Sequence, residues 1–268
     1  MPLATRLALF LVLVALPLTA QAQSGWQPLI ERLAADGYDQ ARLQTIFSDP
    51  RAEFLEWVIP KKSTHSEAAL DYEQFLQDES RQRAATFLDT HRSLLARIEA
   101  TYNVAPEILT ALLEVETRLG NYTGQTRTVN ALASLARGGM DDKANAAAKR
   151  QGQWAYKELK ALLDWRPQSG AELLKLRGSP FGAFGIPQFI PSSAAAYGQD
   201  FDESGRVDLF SLPDALASAA LYLQKHGWTP DLDREDKLQI IKHYNHSTPY
   251  AKAVLALAER LSRGPEAE

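Results

Sequence analysis

The chain is predicted to be all-α. Apolar residues recur at helical spacing over most of its length, and Ala68 to Tyr102 contains neither Gly nor Pro. A third run, Ala105 to Gly120, carries both a start and a stop signal for a helix. Spacings of three and four with such punctuation describe amphipathic helices rather than strands.

Taken in order, residues 1–22 read as a secretory leader. Arg6 precedes the apolar run Leu7 to Leu16, and Pro17 and the small-residue pattern Ala20-Gln21-Ala22 follow. The run is short for a membrane span, so cleavage and export are expected, with a mature chain beginning near Gln23. The sequence has no cysteine. Disulfides, a thiolate metal site and a lipid anchor on cysteine are therefore not expected.

Residues 23–101 read as an N-terminal helical region packed on the core. From Trp26 to Pro60 the groups Leu29, Ile30, Leu33, then Leu43, Ile46, Phe47, then Phe54, Leu55, Val58 predict short helices broken at Asp36-Gly37 and Asp49-Pro50. Ala68 to Tyr102 predicts a long helix broken at most once. Residues 102–268 form the expected core.

The central element is Pro106 to Gly120. Pro suits a first helical position and Gly the residue past the end, and Ile108, Ala111, Leu112, Val115 and Leu119 form one apolar stripe. At about 100° per residue Glu116 falls on the flank of that stripe and Glu114 on the opposite, solvent side. A carboxylate at such a flank is partly dehydrated, which raises its pKa towards the range of a general acid. A solvated or Arg-paired acid is the alternative reading.

A turn at Asn121 to Gly124, a short helix from Val129 to Ala136 and an amphipathic helix from Met140 to Asp164, ending before Pro167, follow. Lys149 and Arg150 read as part of a solvated face. Gly178 to Ser193 holds three Gly and three Pro up to Pro191 among apolar residues, which predicts an ordered irregular loop lying on the core. Such a loop exposes backbone donors and acceptors beside apolar walls, with Gln188 at its middle; it serves either structure or a ligand.

Asp200 to Ser211 places oxygen ligands Asp200, Asp202, Ser204 and Asp208 at loop positions 1, 3, 5 and 9, with Gly205 at 6 and the Arg206 backbone at 7. This is the pattern of an EF-hand-like calcium loop, 200–211, except that Ser211 stands where a bidentate acid closes the site. Ser211-Leu212-Pro213-Asp214 also reads as a capping box, which explains Ser211 without metal. Calcium binding is accordingly expected to be weak. Helices follow from Pro213 to Lys225 and from Leu238 to Leu261, the latter interrupted at Asn245 to Pro249. His243 and His246 have no acid in zinc spacing.

The net charge is −4, and −5 once residues 1–22, whose one charge is Arg6, are removed. Acids and bases are interspersed, so no nucleic-acid surface is expected, and no later apolar run is long enough to cross a membrane.

Val115-Glu116-Thr117-Arg118, Gly178-Ser179 with Gly182-Ala183, Gln188-Phe189-Ile190-Pro191-Ser192-Ser193, Asp200-Phe201, His226-Gly227-Trp228 and Tyr244-Asn245-His246-Ser247-Thr248 with Tyr250 occur in this order. In that order they resemble the B-type lytic murein transglycosylases over roughly Tyr102 to Leu261. The resemblance implies a lysozyme-like helical core that cleaves the β-1,4 bond between N-acetylmuramic acid and N-acetylglucosamine in peptidoglycan, leaving 1,6-anhydro ends. It implies Glu116 as the catalytic acid, then base, and Ser179, Gln188, Tyr222, Tyr244, Asn245 and Tyr250 as groove residues. No cofactor is implied beyond a structural Ca2+. Glycan strands are the expected partner, the chain a monomer, and its place the periplasm.

The chain departs from the family at Glu114, usually a small residue, at Leu119, often aromatic, at Ser211, and in a short connection from Trp228 to His243. A hydrolytic muramidase and a non-catalytic peptidoglycan-binding protein remain as alternatives.

Overall fold

The computed structural model describes residues 19–60, 71–169 and 173–263. Most of the expected leader, and Ala68 to Leu70 of the expected long helix, lie outside them. The all-α class is observed: among the described residues are eleven α-helices and one sheet of two two-residue strands. The chain divides into two compact units, one ending at Glu53 and the other starting at Phe54.

The first unit holds α1 (Thr19–Ala35) and α2 (Gln40–Ser48). The expected break at Asp36-Gly37 is a helix stop, with Gly37 at φ +97° and the Tyr38 N–H returning to the Leu33 carbonyl. Asp39 then caps α2 by accepting from the Arg42 N–H. Leu29, Leu33 and Leu43 are buried, and Trp26 packs on Phe47 while its Nε1 donates to the Ala52 carbonyl at 3.1 Å.

In the second unit a 3₁₀ turn at Tyr72–Leu76 leads into α3 (Asp78–Thr90) and α4 (Arg92–Tyr102). The expected long helix is therefore interrupted at Gln77 and at His91, neither of which carries a sequence signal for a break. Next comes α5 (Pro106–Thr117), against which α3, α4, α9 (Leu212–Lys225) and α11 (Thr248–Ser262) all pack. Being covered on every side, α5 buries Ile108 through Glu114 without a gap. It stops three residues before Gly120: Arg118 and Leu119 themselves take left-handed φ of +50° and +59°.

Strand β1 (Thr126–Arg127) pairs antiparallel with β2 (Arg177–Gly178), Thr126 facing Gly178. Between them lie α6 (Thr128–Gly139) and α7 (Ala146–Ser169), which pack closely. A Cβ on Gly152 would lie 2.6 Å from the Gly139 Cα, so this crossing requires Gly at both positions. The helix α7 starts later than expected, after a turn at Met140 to Asn145, and continues past Pro167 to Ser169. Lys149 and Arg150 are exposed, as a solvated face requires. The loop from Ser179 to Ile190 leads to α8 (Pro191–Tyr197), and α10 (Arg234–Tyr244) precedes α11.

Candidate active site

The site is built where α5 ends. Thr117 Oγ1 donates to the Ile186 carbonyl at 2.9 Å and accepts from the Gly120 N–H at 3.0 Å. One hydroxyl thus joins the last turn of α5 to the loop Ser179 to Ile190, a role no sequence motif announced. That loop is fixed from below: Ile186 N–H donates to Leu209, Phe184 N–H to Phe189, and the Phe184 ring packs on Trp165 at 5.3 Å. The ordered irregular loop expected from its Gly, Pro and apolar content is present.

Glu116 is half-buried in the last turn of α5. The Tyr250 hydroxyl donates to its Oε1 at 2.5 Å. Tyr250 is 2% exposed, near the start of α11, with Tyr72 edge-on at 5.9 Å. Burial, reinforced by the Glu116 charge, pushes its phenol well above the usual range, so it remains an O–H donor through the whole working pH range. Tyr72 is a second residue that sequence pattern did not single out.

Tyr244 feels the same carboxylate. Burial first and then Glu116 raise its phenol well above the usual range, and its hydroxyl donates to the Pro187 carbonyl at 2.6 Å. Its ring lies 5.7 Å from Phe189 and 4.8 Å from Tyr222. Tyr222 is buried, its hydroxyl donating to the His243 carbonyl at 2.7 Å and its ring stacked on His226 at 4.1 Å. Burial and the neighbouring Tyr197 raise its phenol to about 12. Tyr222 is thus buried against Tyr244, its hydroxyl committed to the His243 carbonyl.

Gln188 has φ +49° and is held in that left-handed conformation by its own amide, whose Nε2 donates to Gly185 at 2.8 Å and Thr123 at 3.1 Å. Ser179 Oγ accepts from the Phe181 and Ala183 N–H groups at 3.2 Å each, which leaves its own proton to donate. Asn245 Oδ1 accepts from Ser247 N–H at 2.9 Å, turning the chain into α11. Glu116, Tyr250, Tyr244 and the loop of Gln188 are therefore linked, through the Tyr250–Glu116, Thr117–Ile186 and Tyr244–Pro187 hydrogen bonds, whereas the bonds of Ser179 and Asn245 stay within their own turns.

Glu114 overturns its expectation. It is fully buried and paired with Arg83 of α3, whose Nε lies 3.2 and 3.1 Å from its two carboxylate oxygens and whose Nη2 lies 2.5 Å from Oε1. Periodicity placed it in solvent because it assumed one buried face; α3 covers the other. Arg83 also donates to Ser80, at 3.1 Å, and its guanidinium is held above its usual pKa chiefly by Glu114.

The loop after Tyr197 is also corrected. Ser211 holds the N-cap position of α9, but its hydroxyl makes no capping bond there and donates to Asp202 at 3.1 Å. Asp214, fully buried, turns back and accepts from the N–H groups of Phe201, Asp202 and Asp208 at 2.8, 3.4 and 2.8 Å. Carboxylate oxygens of Asp200, Asp202 and Asp214 lie within 4.8 Å of one another. Asp208 is outside that group, its Oδ1 accepting from Phe210 N–H. Burial raises the Asp214 pKa against those three N–H donors, while Asp202 is held low, chiefly by the Ser204 hydroxyl. Asp214, three residues past position 12, thus brings a carboxylate to the loop that the sequence pattern did not place there.

The Transglycosylase SLT domain family matches residues 21–235. The Escherichia coli (strain K12) membrane-bound lytic murein transglycosylase B is 31% identical over 203 residues, which are 72% of this chain and 54% of that protein. The chain therefore spans about half the length of that curated relative. The structure of Escherichia coli lytic transglycosylase SLT35 in complex with calcium superposes with a TM-score of 0.73 at 26% identity, covering 89% of this chain and 93% of that one. Soluble lytic transglycosylase SltB1 from Pseudomonas aeruginosa shares the fold, with a TM-score of 0.75, 24% identity and coverage of 92% and 100%.

Proposed function

The chain belongs to the transglycosylase SLT domain family, and from that premise we propose that it is a lytic transglycosylase of peptidoglycan in which Glu116 acts alone as acid and then base. The observation that carries the reading is the pair of fates on α5. Glu116 faces a tyrosine hydroxyl that orients it, whereas Glu114 is committed to Arg83. A glycosidase that activates water needs a second carboxylate on the far side of the sugar or against its anomeric carbon. Glu114 does not serve that need.

In the proposed sequence the Glu116 carboxyl gives its proton to the glycosidic oxygen as the bond to the anomeric carbon of N-acetylmuramic acid breaks. Positive charge develops on the ring. The sugar's own 6-hydroxyl then attacks the anomeric carbon, and its proton passes to the Glu116 carboxylate, which restores the acid and closes the 1,6-anhydro ring. The Tyr250 hydroxyl, donating to the carboxylate, holds Glu116 in place for both transfers. Release of soluble fragments from purified peptidoglycan by the full chain is the test; sacculi left intact would overturn the reading. The reading of residues 1–22 as a secretory leader and the proposed peptidoglycan substrate support the periplasm as its place, with glycan strands as the partner of a monomer. Among the described residues no helix is long and apolar enough to cross a membrane.

The acidic loop fits a hard divalent cation, and the similar SLT35 was solved in complex with calcium. Asp200, Asp202 and Asp214 supply converging carboxylates, with Ser204 and the Arg206 carbonyl beside them. Bound calcium would offset two of the three carboxylate charges and brace the segment between α8 and α9. At calcium about 100-fold above Kd the stabilisation is about 2.7 kcal/mol, a rise in Tm of about 5–10 °C for a unit of this size. Thermal melts in calcium and in chelator check this; superposable curves would remove calcium from the account.

A further inference from the structure

Tyr122 and Phe181 are 66% and 43% exposed, and nothing in their local structure asks for an aromatic side chain. Tyr122 sits in the turn that leaves α5, its N–H donating to the Thr117 carbonyl at 2.9 Å. Phe181 is the third residue of the Ser179–Gly182 turn, closed by a 3.0 Å bond from Gly182 N–H to the Ser179 carbonyl. Turns of this kind are served by small polar residues, and an exposed ring at such a corner forfeits burial it could have had elsewhere.

The two turns abut. A Cβ on Gly124 would run into the carbonyl of Gly178, and the next residues pair as β1 and β2. Tyr122 is two residues from this junction on one side and Phe181 three on the other. At no more than about 3.6 Å per residue, they are rooted within about 7 and 11 Å of it. Between them lie the Thr123 carbonyl that receives Gln188 and the Ser179 hydroxyl.

We propose that Tyr122 and Phe181 form an aromatic platform that continues the Glu116 cleft past Ser179 and stacks on further pyranose rings of the glycan strand. The inference rests on the function proposed above. A pyranose presents a face of C–H groups ringed by hydroxyls. An exposed aromatic face beside a free hydroxyl donor matches that combination, whereas a protein partner would call for a broader apolar patch than two separate rings. The platform adds affinity only for strands long enough to reach it.

The test uses the full chain carrying Glu116→Gln, so that ligand is bound and not consumed, titrated calorimetrically with peptide-free peptidoglycan glycans of two lengths, a tetrasaccharide and an octasaccharide. Adding Tyr122→Ala and Phe181→Ala together should weaken the octasaccharide about tenfold and change the tetrasaccharide by less than about twofold. Tyr122→Phe with Phe181→Tyr, which keeps both rings, should restore the octasaccharide. Unchanged affinity, equal loss at both lengths, or no glycan binding by the parent would overturn the platform. The function itself is read separately, from turnover by the chain with Glu116 intact. Length-dependent binding without turnover would remove the enzyme and keep the platform, and turnover with length-independent binding would do the reverse.

Discussion

Glu116→Gln is expected to reduce release of soluble fragments from peptidoglycan by about 10⁴-fold or more. General acid–base catalysis contributes about 10²–10⁴ per proton transfer, and here one carboxylate is asked to perform both transfers. The amide keeps the shape of the acid and an oxygen to accept from Tyr250, so Tm and glycan affinity should stay close to those of the parent. Turnover within tenfold of the parent would mean that another group delivers the proton, and would dismantle the assignment of the site.

The second large effect is on stability. Arg83→Met should lower stability by about 3–5 kcal/mol, because it leaves the fully buried Glu114 carboxylate without its cation. For a unit of this size that is a fall in Tm of roughly 6–20 °C. Replacing both partners, Arg83→Met with Glu114→Leu, should recover most of the loss, since an apolar pair of similar volume carries no desolvation cost. Melting curves of the two variants decide it: a single variant as stable as the parent would show that the pair contributes nothing, and an unrecovered double variant would show that packing, not charge, was lost.

Such a pair marks the boundary of what the sequence disclosed. The helix α5 was legible because its start and the stripe of Ile108, Ala111 and Leu112 are local features, and Glu116 was legible because it stands at the edge of that stripe. Glu114 was not, because its partner lies 31 residues away on α3 and periodicity records only how apolar a face is, not what covers it. Asp214 was misread for a related reason. In sequence it completes a helix cap with Ser211, and only the folded loop brings the N–H groups of Phe201, Asp202 and Asp208 onto its carboxylate. The interruption at His91 has no Gly or Pro to announce it. Tyr250 and Glu116, 134 residues apart, were assigned to one groove by resemblance to a family, and the hydrogen bond between them was not foreseen. Local chemistry thus identified the pieces, while the long-range hydrogen bonds that make them a site had to be seen.

In the proposed reaction the sugar's own hydroxyl, and not water, takes the bond from the anomeric carbon. The measurement that reaches it most directly is the mass of the fragments released from purified peptidoglycan by the full chain. Muropeptides one water lighter than the hydrolysis products, lacking a reducible end, are the predicted result. Fragments of full hydrolytic mass with ordinary reducing ends would contradict it and make the protein a muramidase built on the same fold.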